Sequence, residues 1–104
     1  MDEEMIYVKR HVTPSGNILA MCDESQIGKV LKDGEIVINI KDYADFYKGE
    51  LISDKLQETY SQDLYTANIV GKEAVELAIK SKIISKGSVK TASGVPYAHA
   101  YRIE

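Results

Sequence analysis

The stretch that most constrains this chain runs from Asn68 to Gly87, NIVGKEAVELAIKSKIISKG. Val70, Ala74, Val75, Ala78, Ile79 and Ile83 recur at three- and four-residue intervals, the spacing that sets side chains on one face of a helix. Lys72, Glu73, Glu76 and Lys80 fall largely on the other face, and Glu76 with Lys80 forms an i,i+4 pair in the favourable order, worth about 0.3 kcal/mol when exposed. Gly87 offers a left-handed stop, with Lys80, Lys82 and Lys86 near the negative end of the helix dipole. A helix over residues 71–84 is expected, with Asn68 as its cap and Gly71 either at unusual backbone angles or pressed against a neighbouring element. This helix is scaffold, and its apolar face needs a sheet to lie on.

Strand formers supply that sheet at both ends of the chain. Residues 4–12 contain Ile6, Tyr7 and Val8, and the turn cluster Thr13-Pro14-Ser15-Gly16-Asn17 leads into a second strand over 18–22. Asp23 with Gln26 has the spacing of a capping box before Ile27, Val30 and Leu31, which reads as one or two helical turns weakened by Gly28. After the Asp33-Gly34 turn, Ile36, Ile38 and Ile40 alternate through a strand at 35–40. Residues 42–49, DYADFYKG, carry three aromatics and read as a loop whose rings cover one end of the core. Asp54 with Gln57, and the stripe Leu56, Tyr60 and Leu64, predict a helix over 54–65. Short strands at 88–92 and 98–103 flank the turn Ser93-Gly94-Val95-Pro96. The expected fold is α+β: a mostly antiparallel sheet covered by two or three helices. Residues 1–104 are expected to form one compact domain, with 1–4 a frayed terminus.

Composition removes several classes of function. A net charge of -3 argues against a broad basic surface while leaving room for a local basic patch. The single Cys22 excludes an internal disulfide and a thiolate zinc cluster, and no apolar run approaches the roughly 20 residues that cross a bilayer. The amino terminus MDEEMIYVKRH lacks the basic region of a signal peptide, so a reducing cytoplasm is the expected compartment. Neither a metal nor a cofactor is expected, because His11 and His99 are far apart and no HxH or HExxH spacing occurs. Gly28-Lys29 and Gly71-Lys72 lack the glycine-rich run and the following Ser/Thr of a phosphate loop.

Candidate site residues each carry a plain structural reading beside the functional one. Cys22 reads first as a small buried hydrophobe, and Asp23 beside it opposes a thiolate. His99 near the start of the last strand is an exposed residue or a carbonyl donor before it is a catalytic base. Cys22, Asp23, Lys29, Tyr47, Asn68, Tyr97 and His99 are the candidates for a ligand or partner surface. A basic edge could form from Lys9, Arg10, His11, Lys86, Lys90 and Arg102 if the first and last strands are neighbours, with Tyr7, Tyr97 and Tyr101 offering stacking surfaces.

Several of these motifs resemble a small family of archaeal proteins catalogued as a domain of unknown function. The likeness rests on Cys22-Asp23 followed by Gly28-Lys29, then Phe46-Tyr47-Lys48-Gly49, Ala67-Asn68-Ile69-Val70-Gly71 and Gly94-Val95-Pro96, and spans Met5 to Ile103. The resemblance implies a single compact domain without assigned enzymatic activity and a link with translation or RNA. The family often has His at the position of Tyr97 and Gln at that of His99, a departure that weakens any proposal resting on an imidazole there. The expected function is non-catalytic binding of RNA or of a translation-associated protein. Two alternatives stand beside it: a protein–protein interaction subunit, and a small-molecule enzyme with a pocket near Asp23, Tyr47 and Asn68.

Overall fold

Alternation of apolar and polar side chains at the two ends of the chain builds one six-stranded sheet in a computed structural model, which describes residues 4–101. Its strands are β1 (Ile6–Thr13), β2 (Gly16–Asp23), β5 (Glu50–Ile52), β6 (Leu64–Val70), β7 (Lys90–Ala92) and β8 (Val95–Tyr101). They lie in the order β5-β1-β2-β6-β8-β7, and every pairing is antiparallel except that of β2 with β6. A separate hairpin joins β3 (Val30–Asp33) to β4 (Ile36–Asn39). Two helices complete the architecture, the single turn α1 (Ala44–Tyr47) and α2 (Lys72–Lys80). The α+β reading holds. The terminal residues 1–3 and Arg102 lie outside the described residues, as does the end of the strand expected to reach 103.

The period of two divides the core into two layers, one on each face of the sheet. Leu19 and Met21 of β2, Ala67 and Ile69 of β6 and Ala98 of β8 face α2, where they meet Ala74, Val75, Leu77 and Ala78. Ala20, Cys22, Val70 and Tyr97 face the other way and are covered by Leu31, Ile38, Ile40 and Tyr47. The second layer is therefore made by the β3–β4 hairpin and α1. Polar contacts tether the hairpin: the Ser93 backbone amide donates to the Lys32 carbonyl (2.8 Å), Lys32 N donates to Ser93 Oγ (3.0 Å), and the Tyr97 hydroxyl donates to Asp33 Oδ2 (3.0 Å). Among the described residues no helix is long and apolar enough to cross a membrane.

Four local expectations are corrected. Residues 54–65 are not a helix; they contain a loop, a short 3-10 turn at Glu58–Ser61 and the start of β6. Leu56, Tyr60 and Leu64 do face the core, as their spacing implied, but a run rich in Tyr, Thr, Ile and Val forms a strand buried on both faces. Residues 24–26 make only a 3-10 turn, and Val30 and Leu31 belong to β3. The organising helix ends at Lys80, well before Gly87. Lys82 takes the left-handed conformation (φ 62°), Lys82 N bonds the Ile79 carbonyl and Ile83 N bonds the Ala78 carbonyl, the pattern of a Schellman stop. Ile83 is buried beside Ala78 in the same cluster, so the apolar period continues after the helix has closed.

The fourth correction concerns the cap. Asn68 lies inside β6, and the N-cap is Gly71 at φ 109°. Its side-chain partner comes from β2: Asp23 Oδ1 accepts from Ala74 N (2.7 Å) and Oδ2 accepts from Glu73 N (3.1 Å). A Cβ on Gly71 would sit 2.3 Å from Asp23 Cγ, so glycine is required by both backbone angle and space. Burial pushes the Asp23 carboxyl up to about 6, with the charges of Glu4 and Glu73 adding to it and the two amides opposing.

Two outcomes follow from this cap. Gly71→Ala is expected to cost at least about 3 kcal/mol in urea unfolding, from left-handed strain plus the clash; a loss under 1 kcal/mol would refute the close approach. Because the folded carboxyl titrates near 6 and the unfolded one near 3.8, the folded state holds the extra proton between those values. Stability of the native chain relative to Asp23→Asn should therefore fall as pH rises from about 4 to about 6, by on the order of 2 kcal/mol, and then level off. Urea melts at four pH values check the sign, and a rise over that window would overturn it.

Candidate functional site

On the second face of the sheet, the hairpin and α1 leave part of β6 and β8 uncovered, and an open cleft of about 320 Å³ results. Val37, Ile38 and Asn39 of β4 form one wall, Tyr43, Phe46 and Tyr47 a second, and Asn68 and His99 the floor. Asn68 and His99 are cross-strand partners, so their side chains rise from the same face side by side. The aromatic wall is fixed from behind. His11 stacks on Phe46 at 4.5 Å and 9°, and its Nε2 lies 2.8 Å from the Phe46 carbonyl, which makes that nitrogen the donor. Lys9 Nζ donates to the Asp45 carbonyl at 2.7 Å, and Phe46 meets Tyr47 edge-on at 5.1 Å. Tyr43 has no such support and is 65% exposed.

The lining is aromatic and uncharged. Burial pushes the Tyr47 phenol up to about 12, so its hydroxyl keeps its proton. Burial, with Lys90 nearby, holds His99 below the ordinary imidazole range, and the edge of Tyr97 packs against it at 5.4 Å. Asn39 is engaged with Asp42 through both ends of its amide, at 2.9 Å each. No side-chain hydrogen bond among the described residues uses Asn68, and its amide is not a buried orphan, so it is open to the cleft. The exposed Tyr43 ring, one free carboxamide and a neutral imidazole can hold a flat polar molecule.

The structure brings together three of the residues selected from sequence, Tyr47, Asn68 and His99, and separates the others. Tyr97 is buried behind His99, with its hydroxyl spent on Asp33. Cys22 is fully buried, its thiol pushed up to about 12 by burial and by Asp23 and Glu4, and Sγ donates to the Asp23 carbonyl. Asp23 points to the opposite face as the helix cap, so a pocket combining it with Tyr47 and Asn68 does not form. Lys29 sits in an exposed loop, where its carbonyl accepts from Ile40 and Lys41. The basic edge is dispersed because β2 and β6 lie between β1 and β8. Arg10 donates to the Thr59 carbonyl on the helix side, while Lys90 lies on β7 at the far edge. Val37, Asn39, Tyr43 and Phe46 were missed as site residues. The aromatic density of residues 42–49 was their signal, and it reads equally well as core cover.

A second depression, of about 180 Å³, lies between Ile6, Ser53, Asp54, Glu73, Glu76, Leu77 and Lys80. It is smaller, mixed in charge and formed without any ring. Among the described residues no group of three or more His, Cys, Asp or Glu side chains could hold a metal ion.

Residues 11–103 match a family model described as a protein of unknown function, DUF424. No curated protein matches the sequence. The chain is similar in structure to an uncharacterized conserved protein from Methanopyrus kandleri, with a TM-score of 0.74 and 20% identity over 95% of this chain and 92% of that one. At that identity the likeness establishes the shared fold.

The position of Asn68 inside a strand, with its amide free, changes what its removal should do. Asn68→Ala is expected to alter stability by less than about 0.5 kcal/mol, since no cap and no buried hydrogen bond is lost. Thermal and urea melts check this, and a loss of the 1 kcal/mol typical of a deleted helix cap would show that the amide is structural after all.

Proposed function

We propose that this chain, which belongs to the DUF424 family of proteins of unknown function, is a non-catalytic binding protein that takes an unstacked base of single-stranded RNA into the cleft above β6 and β8. The observation that carries this reading is the exposed Tyr43 ring beside the free Asn68 amide and His99. Single-stranded RNA is recognised by stacking splayed bases on aromatic side chains and by hydrogen bonding to their edges, and both elements are present on one sheet face. The lining itself has no cation for phosphate, which fits a net charge of -3 and supports binding through bases more than through backbone. The expected compartment is the cytoplasm, and the expected setting is translation.

A protein partner is the second reading. Ile36 (45% exposed) and Val37 (55% exposed) stand on β4, whose outer edge is unpaired among the described residues, and such an edge can accept a strand from another chain. Ile36 lies outside the cleft and separates the two readings.

Fluorescence anisotropy with a labelled single-stranded RNA oligomer of mixed sequence tests the proposal. Tyr43→Ala and His99→Ala should each weaken binding about fivefold or more without lowering the melting temperature, as expected for a lost stacking contact of about 1–3 kcal/mol. Ile36→Lys should leave affinity unchanged. Affinity should fall only gently with salt, with a log–log slope no steeper than about -2, because few phosphates are neutralised. Absence of binding, or full binding by Tyr43→Ala, would overturn the proposal.

A further inference from the structure

We infer that the base held in the cleft is adenine. This inference rests on the RNA-binding reading and concerns what the cleft selects. Asn39 is already paired with Asp42, so Asn68 is the carboxamide left to meet a ligand. A carboxamide presents one donor beside one acceptor, and adenine presents the complementary pair, the N6 amino group beside a ring nitrogen. Guanine offers two acceptors on one edge, which a Lys or Arg reads, and on the other O6 beside two N–H donors, of which a carboxamide meets O6 and one donor while a carboxylate meets both donors. Neither type of side chain lines this cleft. Asn68 can therefore satisfy only part of either guanine edge, and a polar group left unpaired on binding is costly.

Pyrimidines match a carboxamide as well as adenine does, and the aromatic wall decides against them. Tyr43 is 65% exposed and Phe46 and Tyr47 are held by their neighbours, so the wall favours the larger two-ring surface. His99, beside Asn68 across the strand pair, adds one donor and one acceptor without a charge.

The test uses the full chain and labelled oligomers U3XU3, with X each of the four bases, and free adenosine as a separate ligand. The oligomer with X = A should bind about tenfold more tightly than that with X = G, the discrimination expected of one bidentate contact. Asn68→Asp should reverse that order, because a carboxylate accepts from the guanine N1 and N2 groups, and Asn68→Ala should flatten it while stacking preserves part of the affinity. Equal binding of all four oligomers, or an unchanged preference in Asn68→Asp, would overturn the adenine inference and leave the RNA reading standing. No binding by any oligomer would overturn both. Adenosine binding as tightly as the adenine oligomer would uphold the base and overturn RNA as its source.

Discussion

The Asp23 carboxylate joins the helix to the sheet at one point, and the rest of the architecture takes its position from there. It sits at the end of β2, bonds the first free amides of α2, and leaves room only for a glycine at position 71. The Gly71 amide in turn donates to the Pro96 carbonyl at 2.8 Å, so the same residue that starts the helix is fastened to β8. Three strands and the helix are thus registered within one turn of backbone. A carboxylate buried this deeply is tolerated because the amides at a helix start are themselves short of partners, and they offset part of its desolvation.

That arrangement also explains the asymmetry between the two faces of the sheet. The helix side is filled by small and branched side chains meeting a continuous apolar stripe. The other side is covered by pieces too short to reach across it, a hairpin of four-residue strands and one helical turn. The gap left between them is the cleft. It owes its aromatic wall to the need to close the core there, and its polar floor to the middle of β6 and β8, where Asn68 and His99 occupy positions that neighbouring residues on the same face fill with Val70 and Tyr97.

Much of the frame was legible in the sequence because it depends on period and turn chemistry. The β1–β2 hairpin, the strand at 36–39, the last two strands and the apolar face of α2 follow from alternation and from Pro, Gly and Asp-Gly signals. The failures share one cause, which is that spacing reports where a side chain points and not what the backbone does. Leu56, Tyr60 and Leu64 face the core from a loop, a 3-10 turn and a strand. Asp23 has the local pattern of a cap and caps a helix fifty residues away in sequence. Asn68 stands three residues before Gly71 and reads as a helix start, yet the strand runs to Val70 and the turn is made by the glycine itself. The cleft was half visible: Tyr47, Asn68 and His99 were selected, while its walls depended on how the hairpin folds back.

The one parallel pairing, β2 with β6, has a kinetic consequence. The β1–β2 and β7–β8 pairs close through short turns and can form early and alone. Joining β6 to β2 requires Cys22 to find Val70 across an intervening hairpin, a helical turn and an edge strand, which carries the entropy of closing a long loop. Pairings at such a separation slow folding, and both layers and the floor of the cleft depend on this one.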